Sequence, residues 1–433
     1  MKLPVSIITV GSLLVVFMVV AVSTQRGGVF RASRDHPAIQ YSSGTTYNVV
    51  SELNQQLQDG AVTLKFEGRS GYLRSALEVF GIPVESQLAV FSRTSFQEHL
   101  VSMQNPRAIY FTDNISVAFV RDADVLEVAV HDMQQGSVFY TLQQAQSAVP
   151  QFQRNEQCLA CHLTWDTLGV PGLQAQSMFP LSSNPNAYAT GFFTDHRSRL
   201  EDRWGGWYVT GMLGPVPHMG NVPVNDVDDP NATRGLVPQA LDSLKELLDL
   251  DGYPSAYSDV AALMVLNHQV HMTNLITRIG WESRLVLYRE QMMNKSDVSE
   301  LSNEIRDAVV EFVDYLFFID EVPLLAPVQG ASGFMEQFSA RGPRDRYDRS
   351  LRELDLQTRL MRYPCSYMIY TEAFDALPEL AKDVIYERMW NVLSGKENDY
   401  PYTRFSQVDR QAIIEILRDT KSDLPSYFDT AAQ

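Results

Sequence analysis

Cysteine is scarce, with 3 residues in a chain of 433. Two stand close together, Cys158 and Cys161, and the third, Cys365, is alone, so a four-ligand zinc site lacks its second pair. Positive charge is short too, with 35 lysines and arginines against 52 aspartates and glutamates. The resulting net charge of −17 disfavours nucleic acid and anionic lipid, and would steer basic partners or cations. No internal repeat or long low-complexity tract is visible, and no Ser-His-Asp order, phosphate-binding loop or His-Glu-x-x-His stands out. What is present is ordinary for a globular protein, 45% apolar and 20% charged, and the length suits two or three domains.

The amino terminus is an exception to that ordinary composition. Lys2 precedes an apolar run from Val5 to Val22 that ends in the small-residue stretch Ala21-Val22-Ser23, the parts of a secretory signal. The run is nearly long enough to span a bilayer, so a cleaved signal peptide and a membrane anchor over residues 1–23 both stand. A buried amino-terminal helix is the bland reading, and the absence of a polar stripe weighs against it. Export predicts a periplasmic protein, anchored to the inner membrane if residues 5–22 are retained. Cleavage removes Lys2 and no acid, which leaves the mature chain one charge more negative.

From residue 31 to 150 the pattern mixes two periods. "YNVVSELNQQLQDG" and "GYLRSALEVFGIP" carry helical spacing with glycine at or near their ends. "AVTLKFEG", "QLAVFS", "RAIYFTD", "ISVAFV", "VLEVAVHD" and "SVFYTL" are short runs of β-branched and aromatic residues between turn residues. The last four leave no room for intervening helices, which predicts antiparallel pairing. Residues 151–235 are irregular and rich in Gly, Pro, Asn and Trp, backbone that needs something other than regular hydrogen bonds to hold it. Residues 236–433 return to three- and four-residue apolar spacing, as in "SDVAALMVLNHQVHMTNLITRIGWESRLVLYREQM" and "QVDRQAIIEILRDTK". The expected fold is therefore α+β: an N-terminal α+β domain with an antiparallel sheet, an irregular central segment, and a mainly helical C-terminal domain.

Within the irregular segment lies "NEQCLACHLTWD", residues 155–166. Residues three apart lie on one side of a helical turn, so Cys158 and Cys161 can reach the two vinyl groups on one porphyrin edge while His162 swings beneath the iron. The spacing arises by chance about 4 times in 10,000 chains of this composition. A thioredoxin-like pair would need a βαβ unit that the flanking sequence does not supply, and a disulfide here would close a short, strained loop. The reading is one covalent haem c, with Cys158 and Cys161 as attachment points and His162 as the axial ligand, which makes residues 151–235 a haem-attachment segment.

"CLACH" resembles the attachment motif of c-type cytochromes, and "GVPGL" at 169–173 resembles the Gly-Pro-x-Leu element that follows it in small single-haem members. That resemblance covers about 25 residues and implies that the Pro171 carbonyl accepts from the His162 ring N–H. More loosely, "NPRAIYF", "RWGGWYVTG", "HMGN" and "RYPCSYMIY" look like large single-haem exported bacterial proteins described only as cytochrome-c-like.

The role of such a haem depends on its sixth position. Met178, Met212, His218 and Met219 follow the anchor, and "PVPHMGN" presents His218 and Met219 side by side as metal-ligand candidates; the bland reading is an ordinary surface loop. His268 and His271 share a helical face, for which two hydrogen-bonded core histidines are the favoured reading. In "TDHRSRLEDRWGGWYVTG", Arg203 is the preferred contact for a haem propionate. Asp226, Asp228 and Asp229 form a solvated acidic turn in preference to a calcium loop, and Cys365 reads as a buried small residue. The expected function is an exported monohaem cytochrome transferring electrons with redox partner proteins that have basic surfaces. The alternative is a peroxidase-like haem enzyme or a haem-based sensor with an open distal site, and size argues against a bare shuttle.

Overall fold

A computed structural model describes residues 28–178, 191–222, 235–293 and 298–429. Residues 1–27, with the apolar run read as an export signal, and the acidic residues Asp226, Asp228 and Asp229 lie outside these. Strands and helices segregate along the chain in the α+β manner, with a sheet first and a mainly helical region after it.

Two short helices open the fold, α1 (Val49–Gln58) and α2 (Leu73–Val79). Asn48 starts α1 with a reciprocal cap: its side chain accepts from the Val50 and Ser51 N–H groups, and the Ser51 hydroxyl accepts from Asn48 N–H. Six antiparallel strands follow in chain order, β1 (Leu88–Val90), β2 (Arg107–Phe111), β3 (Ile115–Phe119), β4 (Val125–Asp132), β5 (Gly136–Gln143) and β6 (Phe152–Arg154). The stretch 61–68, which reads as a strand, forms none: Lys65 N–H donates to the Ser75 hydroxyl instead of to a neighbouring strand, and Leu64 is buried.

The register separates two faces. Tyr110, Val117, Val128 and Tyr140 stand opposite one another across the sheet and pack with Val50, Leu53, Leu73 and Leu77 of α1 and α2. The other face carries Ile109, Ala118, Glu127 and Thr141 in one row and Ser116, Ala129 and Phe139 in the next. A one-residue slip would exchange these two sets, so the bulky residues of the first face pin the small and polar ones to the second.

The second face looks toward α4 (Val260–Met293), the centre of the helical region. Its residues from Val260 to Val270 are all buried, as expected of a helix covered on every side. Asp259 begins it, accepting the Ala261 N–H on one carboxylate oxygen and the Ala331 and Ser332 N–H groups on the other. Around α4 pack α5 (Val298–Leu316), α6 (Phe334–Ala340), the one-turn α7 (Glu372–Asp375) and α8 (Glu379–Leu393), with α9 (Gln407–Thr420) against α8. Among the described residues no helix is long and apolar enough to cross a membrane.

Candidate functional site

The Cys-x-x-Cys-His stretch begins where β6 ends. Asn155 caps a 3-10 turn by accepting the Gln157 N–H, and that turn (Glu156–Cys158) runs into one turn of α-helix, α3 (Leu159–His162). Leu159 is buried in the core beneath the sheet, which fixes the rotation of the turn and leaves Cys158 half-buried and Cys161 exposed. Burial pushes the Cys158 thiol up to about 11.

The loop after His162 folds back on it. Gly172 N–H donates to the His162 carbonyl at 2.9 Å, and the His162 ring nitrogen Nδ1 lies 2.9 Å from the Gly172 carbonyl. A carbonyl only accepts, so this bond requires the proton on Nδ1 and leaves the lone pair of the neutral ring on Nε2. Burial holds the ring below the usual histidine range, with the Gly172 carbonyl acting in opposition. The resemblance placed this acceptor at Pro171; the Pro171 carbonyl instead accepts the Ser137 N–H of β5, and the glycine after it meets the imidazole.

Gly172 and Leu173 are held from α4. Asn274, almost fully buried, accepts the Leu173 N–H at 2.9 Å and donates to the Leu173 carbonyl at 2.8 Å. A Cβ on residue 172 would clash with the Asn274 Oδ1, so glycine is needed there by close approach. The other end of the loop is tied by Thr167, whose hydroxyl accepts Thr164 N–H and donates to the Thr164 carbonyl, and by Phe30 N–H donating to the Leu168 carbonyl. Between these ties Trp165 stands 75% exposed.

Cys158, Cys161 and His162 line one cavity of about 350 Å3 between the second face of the sheet and α4. Its floor is the row of small side chains Ser116, Ala118 and Ala129; Leu266 and Val270 of α4, Leu173 and Trp207 wall it, and residues 93–96 with Glu98 form part of the rim. Among its charged lining residues Arg107 and Glu127 pair at 2.9 Å, and Arg93 and Glu98 stand at the rim. Arg107 Nε is buried with no hydrogen-bond partner among the described residues.

The other sequence-derived candidates lie elsewhere. His218 is buried edge-on to Trp204, its Nδ1 accepting Gly220 N–H, and burial pushes it down to about 4. The Met219 sulfur lies 3.7 Å from the Ser177 hydroxyl, Met178 is buried, and Met212 is exposed. Arg203 is buried and donates to the carbonyls of His196 and Ser198. His268 sits with Nδ1 2.9 Å from His196 Nδ1 and Nε2 2.7 Å from the Ser366 hydroxyl, while Arg197 donates to His271. Cys365 is fully buried. All eight histidines fall among the described residues, as does every methionine except Met1 and Met18, and His162 alone of them lines the cavity.

Arg107, Glu127, Asn274 and the small-residue floor carry the site without having been singled out from the sequence. The floor had a signal in "ISVAFV", where Ser116 and Ala118 alternate with larger residues, and register turns that alternation into an open face. No family model matches the chain, and comparison with curated proteins and with solved structures gives no match either.

Proposed function

We propose that the protein is an exported monohaem c protein that exchanges electrons with redox partners and leaves one axial position of its iron without a protein ligand. One observation carries this reading: the thiols and imidazole of a single Cys-x-x-Cys-His motif line one cavity, and among the described residues no second histidine and no methionine joins them there. When bound, haem c supplies a one-electron couple and an axial site for a small ligand. The residues present fit that group. Cys158 and Cys161 offer two sulfurs three residues apart at the cavity, His162 offers Nε2 with its tautomer fixed by Gly172, and Arg107 offers an unpaired N–H for a propionate.

Electron carriers of the simple kind fill both axial positions from the protein, and the two residues expected for that, His218 and Met219, are engaged away from the cavity. The reading that gains is the haem enzyme or ligand-responsive haem protein, in which a redox partner would approach the exposed side of the motif at Cys161. Periplasmic location, retention by residues 5–22 and partners with basic surfaces belong to the same proposal and follow from the amino-terminal run and the charge of −17.

Optical spectra of ferric and ferrous protein with and without cyanide and carbon monoxide test it. High-spin ferric iron that binds cyanide, and ferrous iron that binds carbon monoxide, is the expected outcome. Low-spin iron that ignores both would return the protein to the carrier class.

A further inference from the structure

Two small cavities follow the large one, each sharing lining residues with the one before it. The first, of about 10 Å3, shares Ser116, Ala129, Leu173 and Leu266 with the cavity beside His162. It is further lined by Asn114 and His131, and Asn114 Oδ1 is buried with no hydrogen-bond partner among the described residues. About one water fits such a volume, and an acceptor left without a protein donor is where a buried water binds. The second cavity, also of about 10 Å3, shares His131 with the first and reaches the exposed residues Met133 and Gln134.

His131 is therefore the side chain common to both small cavities. Its Nε2 lies 3.2 Å from the Thr277 hydroxyl, which spends its own proton on the Thr273 carbonyl at 3.0 Å and can only accept from His131. The ring thus carries its proton on Nε2 and a lone pair on Nδ1, the arrangement that lets an imidazole take a proton at one nitrogen and release one from the other. The charged groups around it are the buried Asp132 on its own strand and Arg284 from α4, with Asp113 lining the inner small cavity.

We propose that this file, Ser116, one buried water held by the Asn114 Oδ1, and His131, is a proton route between the haem cavity and solvent. It rests on the open-position reading and adds a means to supply or remove the proton that accompanies a ligand's arrival. His131 would be a positioning and relay residue, since it does not line the large cavity itself.

Cyanide is the probe, because hydrogen cyanide gives up one proton as it ligates ferric iron, and that proton must leave the cavity. A residue that only conducts the proton speeds arrival and departure alike, so its loss slows both and leaves affinity unchanged. The holoprotein His131→Gln, which keeps a donor for Thr277, is expected to bind and release cyanide about a hundredfold more slowly at unchanged Kd, with partial rescue by added imidazole. Thr277→Val and Ser116→Ala, both small changes, are expected to slow exchange in the same balanced way, and they decide the matter if His131→Gln does not fold. Wild-type protein that ignores cyanide overturns the open-position reading and the route with it. Wild-type protein that binds cyanide while the three variants exchange it at the wild-type rate, or lose affinity instead of rate, overturns the route alone.

Discussion

Replacing Asn274 by leucine removes the one side chain that joins α4 to the backbone carrying the His162 acceptor. Asn274 satisfies both the N–H and the carbonyl of Leu173, at 2.9 and 2.8 Å, and is 1% exposed. Leucine nearly matches its volume but offers neither donor nor acceptor, so both polar groups lose their partners at a half-buried residue. Each such loss costs roughly 1–3 kcal/mol in full burial, so two make about 2–6, and the half-burial of Leu173 puts Asn274→Leu at the low end, about 2–3 kcal/mol. The structure adds a second consequence. The Leu173 clamp also fixes the Gly172 carbonyl against His162 Nδ1, and a ring that loses this acceptor becomes a weaker electron donor to its metal. The reduction potential of the holoprotein should then rise. Urea denaturation with a redox titration measures both, and Asn274→Asp, which keeps the acceptor for Leu173 N–H but no donor for its carbonyl, should fall between. An Asn274→Leu protein within about 0.5 kcal/mol of wild type and with the same potential would refute the argument, since that is the range of an uninvolved surface change.

Three further outcomes are expected. Burial pushes His268 down to about 3 and His271 down to about 4, beside Asp195 and Arg197, so both are neutral in the fold while the unfolded chain protonates them near 6.5. Their folded values are depressed, so stability falls as pH drops below about 6.5, by about 2 kcal/mol for each ring between pH 7 and 5; a urea midpoint that is the same at both values would contradict this. Arg107→Leu strips the cation from Glu127 in the cavity wall and should lower the reduction potential, because a positive charge near the iron disfavours the ferric state; an unchanged potential would remove Arg107 from the haem surroundings. Gly172→Ala should destabilise the protein by about 1–3 kcal/mol, since its new methyl group meets Asn274, and a wild-type melting curve would show that the loop gives way freely.

Much of the fold is legible in the sequence because it rests on local periodicity. The two-residue alternation of "VLEVAVHD" puts Leu126, Val128 and Val130 on one face, and β4 buries that set. The long apolar-spaced run beginning at Ser258 becomes the single helix α4. That Cys158, Cys161 and His162 meet at one cavity is legible for the same reason, since three groups within five residues need one turn to meet. Relations across distance in sequence are not. Arg107 and Glu127 come together through the β2–β3–β4 register, Asn274 reaches Leu173 from a helix a hundred residues on, and neither pairing leaves a mark in composition. His218 and Met219 resemble ligands because of the prolines around them, yet Trp204 and Ser177 claim them in the packed structure. Residues 61–68 show the limit of β-branched runs as a guide, for no neighbouring strand is placed to pair with them.

The central claim is a covalent bond between each sulfur of the motif and a porphyrin. Mass spectrometry of the exported, denatured protein tests it most directly, on the proteolytic peptide that holds Cys158 and Cys161. One haem retained on that peptide, and lost when both cysteines are replaced by alanine, is the predicted result. The same peptide recovered with two free thiols from protein made in a host that matures c-type cytochromes would contradict the account.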